Sequence, residues 1–526
     1  MTSDIDPRTP IIVGVGQIAD PIDSPDYRRL SAVGLAAEAA RIAVEDAGIE
    51  PTTIDTVAGV RQFEISTPRA QAPLGRSDNY PRSVARRIGA DPGRAVLEVV
   101  GGQSPQHLIT EFARAIAHGE AETVVIFGSE AISTTRALAG RDDAPDFTET
   151  VGGQLDDRGF GLEGLTSPAQ VEHGLTDAPS QYALFDNARR ARTKQSRDQY
   201  AAEIGDLFAP FTTVAAANPL AAAPTERSSE ELMTVTQQNR MIADPYPRFV
   251  VARDQVNQGA AVVLTSVENA RAAGIPEDTW VFLHGYADRR EKDLLDRPDL
   301  SESPAAISAA RAALDRAGVE TEELASLDLY SCFAIAVLNI CDGLGLSHTD
   351  PRGLTLTGGL PFFGGAGNNY SMHAVAETVD FLRRSPGSFG FVGANGGALS
   401  KYSAAVYSTT PTSWQDWEDA SGQSELDSVP SVVIAELPNE PGTIETYTVK
   451  YDRAGGRTGI VIGRVGSGER FLATVPDGDT ETLDLLASDE PFGATVHLRS
   501  SGTHTYASVD EAVAARAAET LAATSA

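Results

Sequence analysis

The stretch Glu38–Glu50 returns, little changed, at Ser308–Glu320. Ala39-Ala40-Arg41-Ile42-Ala43-Val44-Glu45-Asp46-Ala47-Gly48 answers to Ala309-Ala310-Arg311-Ala312-Ala313-Leu314-Asp315-Arg316-Ala317-Gly318 at a constant offset of 270 residues. Each copy reads as an alanine-rich amphipathic helix stopped by a glycine, where a left-handed residue is needed. Each then runs into an apolar segment, Ile54–Val60 in the first copy and Leu324–Tyr330 in the second. Two related α/β units predict a pseudo-symmetric core with a site between them.

Other elements fall into the same order in both halves. Thr9–Gln17, Arg94–Val100, Glu122–Gly128 and Gly259–Thr265 read as buried strands. Gly101-Gly102-Gln103-Ser104-Pro105 opens a helix over Gln106–Ala117, with Ser104 expected at the N-cap and Pro105 at the first helical position. The loop Gly358–Asn369 opens a helix to Arg384, and Ser388–Gly393 mirrors Val124–Gly128. Residues 129–250 are polar and punctuated by Gly and Pro, with helical patterns at about 181–195 and 197–208, and read as an excursion inserted between core strands. Beyond Pro438-Asn439-Glu440-Pro441-Gly442, four short alternating segments end at Arg499 and a helix covers about Val509–Leu521; they predict a small antiparallel barrel.

A net charge of −31 excludes a general nucleic-acid binder, because no basic excess replaces counterions on phosphates. Cys332 and Cys341 are too few for a disulfide scaffold and fit a reducing compartment. The first residues show neither a basic region nor an apolar run, and no stretch reaches membrane-spanning length, so a cytoplasmic location is expected. Neither the cysteines nor the eight histidines have metal-ligand spacing, and no phosphate-binding glycine loop is present. No metal and no permanent cofactor are expected.

Together these features resemble the thiolase superfamily. The likeness covers roughly residues 8–410 and rests on the duplication, on Asn239–Pro245 leading to Gly259–Val263, and on the glycine-rich loop before the last core helix. It is nearest to the sterol-carrier-protein thiolases and the type-1 thiolase-like proteins, which carry an added C-terminal β domain. The resemblance implies a duplicated βαβαβαββ fold with a loop domain, and a small OB-like barrel. An N-terminal half at 8–266 would hold the loop domain at about 129–250. A C-terminal half would span 277–410 and the added domain 430–526.

A thiolase needs a thiolate, a base and two oxyanion holes. By the resemblance, the nucleophilic cysteine falls on Gly102, the Gly-His-Pro histidine on Gly365 and the second cysteine on Ala394. The His-Asp-Cys-Phe loop becomes Tyr330-Ser331-Cys332-Phe333, and the Asn and Glu beyond it become Ala336 and Val337. Ser104 is read as a cap rather than a substitute nucleophile, and Cys332 as a buried apolar residue before a thiol nucleophile. His373 is read as structural. Backbone amides at Gly102 and Gly396 are candidates for a retained oxyanion hole, and equally for turn glycines. The run Arg189, Arg190, Arg192 and Lys194 lies in the loop domain, where the family binds CoA; it is a candidate seat for CoA phosphates or a solvated helix face.

The resemblance implies a CoA or acyl-CoA ligand, related to acetyl-CoA acetyltransferases in lipid metabolism but without their catalytic set. Two alternatives stay open: an aldolase-type C–C lyase working through Tyr330, and a non-catalytic scaffold. Monomer and homodimer are both open.

Overall fold

The computed structural model describes residues 5–417 and 420–525. Its first strand, β1 (Pro10–Ala19), explains why the repeated helix is so rich in alanine. A Cβ at Gly14 or Gly16 would overlap the backbone oxygens of Ala43 and Ala39, so the helix Ala32–Ala47 lies directly on the strand. The second copy repeats the arrangement: β9 (Val281–Arg290) brings Gly285 against Ala313 of the helix Pro304–Ala317. Ser31 caps the first helix by accepting from the Gly34 N–H, and Gly48 and Gly318 end the two helices at φ of 65° and 64°.

Between these strands the chain forms β2 (Thr56–Gly59), β3 (Arg94–Leu97), β4 (Thr123–Ala131), β5 (Asp156–Asp157), β6 (Met241–Ala243), β7 (Tyr246–Pro247) and β8 (Asn257–Ser266). After β9 come β10 (Leu324–Leu329), β11 (Phe389–Gly396) and β12 (Lys401–Ser408). The core sheet runs β10-β11-β12-β9-β1-β8-β4-β2-β3-β5. The halves join at a short antiparallel seam, Ile11 with Phe282 and Ile12 with Val281. Two central helices, Ser104–His118 and Tyr370–Arg384, pack on each other and against strands of both halves. The second is buried nearly all round, as a helix between two layers must be.

The halves differ at one place. No strand in the second half answers to β3 among the described residues. The Asp328 carboxylate there accepts from the Leu356 and Thr357 N–H groups, which a sheet ladder would otherwise use.

The C-terminal strands β13 (Pro441–Tyr451), β14 (Arg457–Val465), β15 (Arg470–Thr474), β16 (Thr495–Ser501) and β17 (His504–Ser508) close into a five-stranded barrel, since β13 pairs with both β14 and β16. β15 and β17 are parallel, and the helix Thr480–Leu486 lies between β15 and β16; this is the OB arrangement. The barrel is tied to the inserted segment through β6, where Lys450 pairs with Ala243, and through the helix Ala178–Thr193, whose Asn187 donates to the Tyr447 carbonyl (3.0 Å). No helix among the described residues is long and apolar enough to cross a membrane.

Candidate functional site

A cleft of about 560 Å³ lies between the halves, roofed by the inserted segment. Four turns build it. The turn Gly101–Gln103 leads into the Ser104–His118 helix, and Tyr330–Phe333 follows β10. The loop carrying Leu360, Gly365 and Asn368 and the turn Asn395–Gly397 after β11 supply the rest. Leu162, Leu165 and Tyr182 come from the inserted segment, and most of the wall is apolar.

At its centre, a Cβ on Gly102 would overlap Tyr330 Oη and the Asn395 carbonyl oxygen. The tyrosine hydroxyl thus occupies the space where any side chain at position 102 would begin. Tyr330 Oη has no hydrogen-bond partner among the described residues, and burial pushes its phenol well above the usual range, so it stands in the cleft as a neutral hydroxyl with a hydrogen bond to give. The Gly102 N–H likewise has no acceptor among the described residues, whereas the Gly102 carbonyl accepts from Ser371 Oγ (2.5 Å). The Ser104–His118 helix has no side chain capping its start; its Ser104 N–H is met by the Gly101 carbonyl (3.0 Å) and Pro105 has no N–H. Gly101 is fixed by its N–H to Asn368 Oδ1 (3.0 Å), and Asn368 Nδ2 donates to the Arg61 carbonyl (2.6 Å).

Other sequence candidates fall differently. Cys332 and Gly396 line the cleft with Gly102 and Tyr330. Burial pushes the Cys332 thiol up to about 12, with Asn395 Nδ2 at 3.8 Å from its sulfur, so it is a neutral thiol rather than a ready nucleophile. Gly365 lines the cleft, its N–H held by the Arg253 carbonyl (2.7 Å). Ala394 is fully buried in β11. His373 lies outside the cleft, its Nδ1–H on Gln17 Oε1 (2.7 Å), and burial lowers it to about 3. Ser104 is not the N-cap: Gln103 holds that place, and Ser104 Oγ donates instead to the Val99 carbonyl (3.0 Å).

The basic run does not offer a phosphate seat. Arg189 is buried between Glu203 (3.0 Å) and Asp342 (2.9 Å), and Arg192 also meets Asp342 (2.7 Å). Arg190 is buried beneath the barrel, bonded to Tyr447 Oη (3.1 Å) and the Asp489 carbonyl (3.0 Å). Lys194 takes the left-handed position that ends the helix, φ 55°. These charges join the inserted segment to the core and barrel.

A different basic group stands beside the cleft. Arg253 lines both the cleft and an adjoining hollow of about 220 Å³ that also holds Arg227, Arg248 and Phe249. Among the described residues no carboxylate pairs with these three within ion-pair distance, Arg227 lies over the Phe249 ring (4.0 Å), and Arg253 Nε is buried without a partner. Burial, together with Arg248 and Arg227, lowers Arg253 below the usual guanidinium range. Sequence reading missed them because they are scattered; a cluster of consecutive bases drew attention instead. It also passed over Tyr182, whose Oη donates to the Gly397 carbonyl (2.6 Å) and accepts from Asn395 Nδ2 (2.7 Å).

Residues 422–503 match the model of the thiolase-like protein type 1 additional C-terminal domain. No curated protein matches the chain significantly. A crystal structure of a monomeric SCP2-thiolase-like protein type 1 from Mycobacterium smegmatis is 49% identical, covering 96% of this chain and 100% of that one, with a TM-score of 0.83. The Ltp2–ChsH2(DUF35) aldolase (21% identity, 76% of this chain, 98% of that one, TM-score 0.56) shares the fold. So does human mitochondrial 3-ketoacyl-CoA thiolase (18%, 76% and 99%, TM-score 0.52). With its paired halves, its tyrosine-filled cleft and its C-terminal barrel, this chain belongs to the SCP2-thiolase-like proteins of type 1.

Proposed function

We propose that the protein binds a CoA thioester in the cleft between its halves and carries out neither thiolysis nor Claisen condensation. One observation carries this reading. Tyr330 Oη fills the place of a side chain at Gly102, while the Gly102 N–H stays free to receive a thioester oxygen. A carbonyl can be polarised there, but the sulfur in the cleft, Cys332, is held as a neutral thiol and no imidazole among the described residues lines the cleft to activate it. Arg227, Arg248 and Arg253 would receive the phosphates, replacing the Arg189–Lys194 run in that role. The pairing of β3 with the chain's own β5 covers the outer edge of the first half, which favours a monomer. Two free cysteines fit a cytoplasmic setting.

Calorimetric titration with CoA and acyl-CoAs, beside an acetoacetyl-CoA thiolysis assay, tests the reading. Saturable binding, weakened by Arg253→Gln, with no thiolysis is expected; rapid thiolysis would overturn it.

A second reading has its own support. The Tyr330 hydroxyl, set beside Gly102 in the cleft, is placed to donate to the enolate of a C–C lyase acting on a β-hydroxyacyl-CoA. Gly365 gives it no partner from the loop that faces it. Cleavage of such a thioester, lost in Tyr330→Phe, would select this reading. Binding without any turnover would leave a non-catalytic role in lipid metabolism.

A further inference from the structure

The cleft is apolar over most of its wall, so each polar atom that faces it limits what can lie there. Near Gly102 two of these are donors, the Gly102 N–H and the Tyr330 hydroxyl, and both suit a thioester oxygen. Carbonyls of the same turns are already taken. That of Gly102 accepts from Ser371 Oγ (2.5 Å), that of Gly396 from the Ser400 N–H (3.1 Å) and that of Gly397 from Tyr182 Oη (2.6 Å).

The Asn395 side chain is different. Asn395 lines the cleft and is 2% exposed, yet its Oδ1 has no hydrogen-bond partner among the described residues. Tyr182 decides which end of this amide is left over. Its hydroxyl has one proton, which goes to the Gly397 carbonyl, so toward Asn395 at 2.7 Å it can only accept. Asn395 must therefore turn Nδ2 to Tyr182, and the second Nδ2–H lies within reach of Cys332 Sγ (3.8 Å). Reversing the amide would set Oδ1 against Tyr182 Oη, two acceptors with no proton between them. Both donors of the amide are spent inside the protein, and the oxygen is what remains for a ligand.

We infer that Asn395 selects acyl groups that carry a hydroxyl on the carbons next to the thioester. This deepens the reading of the cleft as an acyl-thioester site and rests on it. With the thioester oxygen at the Gly102 N–H, the first carbons of the acyl chain pass Asn395, whose backbone carbonyl lies against Gly102. A hydroxyl there donates to Oδ1 and gives the buried oxygen its missing partner. A methylene in that place leaves Oδ1 desolvated and unpaired, and a keto oxygen also repels it. Asn395 is the specificity-determining residue, and Tyr182 is the positioning residue that fixes its orientation.

The test is calorimetric titration of the full chain with 2-hydroxybutyryl-, 3-hydroxybutyryl-, butyryl- and acetoacetyl-CoA. Wild type is compared with Asn395→Leu and Tyr182→Phe, with folding checked by circular dichroism. Wild type should bind one of the hydroxyacyl-CoAs about tenfold more tightly than butyryl-CoA, and acetoacetyl-CoA no better than butyryl-CoA. Asn395→Leu, which keeps the volume but has no acceptor, should level the series. Tyr182→Phe frees the amide to turn Nδ2 toward the ligand, so it should gain on acetoacetyl-CoA and lose the preference for a hydroxyl. A purely structural role for either residue would weaken all four ligands alike. If wild type binds acyl-CoAs without preferring a hydroxyl, or both variants keep the preference, the selection is wrong and the cleft assignment stands. If none of the four binds wild type, the assignment of the cleft falls and this inference with it.

Discussion

At the scale of single residues, the site is defined by what a glycine permits. Gly102 has no Cβ, and Tyr330 Oη and the Asn395 carbonyl take up the room. Gly102→Ala must push the tyrosine or the β11 turn aside, an overpacking that costs about 1–3 kcal/mol. The variant should show a lowered urea midpoint. Combining it with Tyr330→Phe removes one of the overlapping atoms, so the double variant should lose less than the two single losses added together, by at least about 0.5 kcal/mol. Strict additivity would mean that the two positions do not compete for one space. The sequence reveals the glycine and, through the Cys-Phe pair, places Tyr330 in a site loop. That the phenol occupies the volume at Gly102 is a contact between residues far apart in the chain, and no local pattern encodes it. The same holds for Gln103, whose carboxamide oxygen lies against Gly396.

At the scale of elements, the ends of the repeated helices and the strands after them are legible because capping glycines and apolar runs are local signals. Some short strands are not. β5, β6 and β17 depend on partners elsewhere in the chain, and β6 and β17 both serve to fasten the barrel. At one such junction the His173 and His504 rings stack at 4.5 Å. His173 Nε2 accepts from the Thr505 N–H (3.0 Å), while its Nδ1–H goes to the Ala169 carbonyl (2.8 Å). His504 donates from Nδ1 to the Glu172 carbonyl (3.2 Å), with the half-exposed Glu172 carboxylate 3.7 Å away, and Nε2 meets Thr474 Oγ1 (2.6 Å). Burial holds both imidazoles below their usual range. The unfolded chain therefore takes up protons that the folded one refuses. The stabilisation is full at neutral pH and is lost as pH falls below about 6.5. Buried His373, lowered to about 3, acts in the same direction. Groups raised elsewhere, His107 to about 9, Glu64 to about 7 and Asp186 to about 6, act in the opposite direction. The test is therefore a difference: between about pH 7.5 and about pH 5.5 the urea midpoint of His173→Gln should change less toward instability than that of wild type. An unchanged slope would remove the stacked pair from the acid response.

For the molecule as a whole, the domain boundary near residue 430 that the family resemblance implies is a boundary in sequence more than in packing. Ile460, Ile462 and Leu472 of the barrel belong to the same apolar cluster as Leu184, Phe185 and Tyr246 of the inserted segment and Phe333 of the second half. Polar contacts follow the same line. Arg470 is fully buried and donates to the Leu295 (2.8 Å) and Arg297 (2.5 Å) carbonyls, and Tyr447 Oη accepts from Arg190 (3.1 Å) and Arg197 (2.7 Å). Removing the barrel would leave Arg190 and Asp244 without part of their hydrogen bonding and bare a large apolar face, losses that cost several kcal/mol together. The full chain should unfold in one calorimetric transition. A chain ending after Thr410 should lose much of its stability or aggregate, and with it the roof of the cleft, because Tyr182 stands on the helix that the barrel supports. A truncated chain that unfolds at the full-length urea midpoint would show that the barrel is an appendage, and that the inserted segment holds Tyr182 over Asn395 unaided.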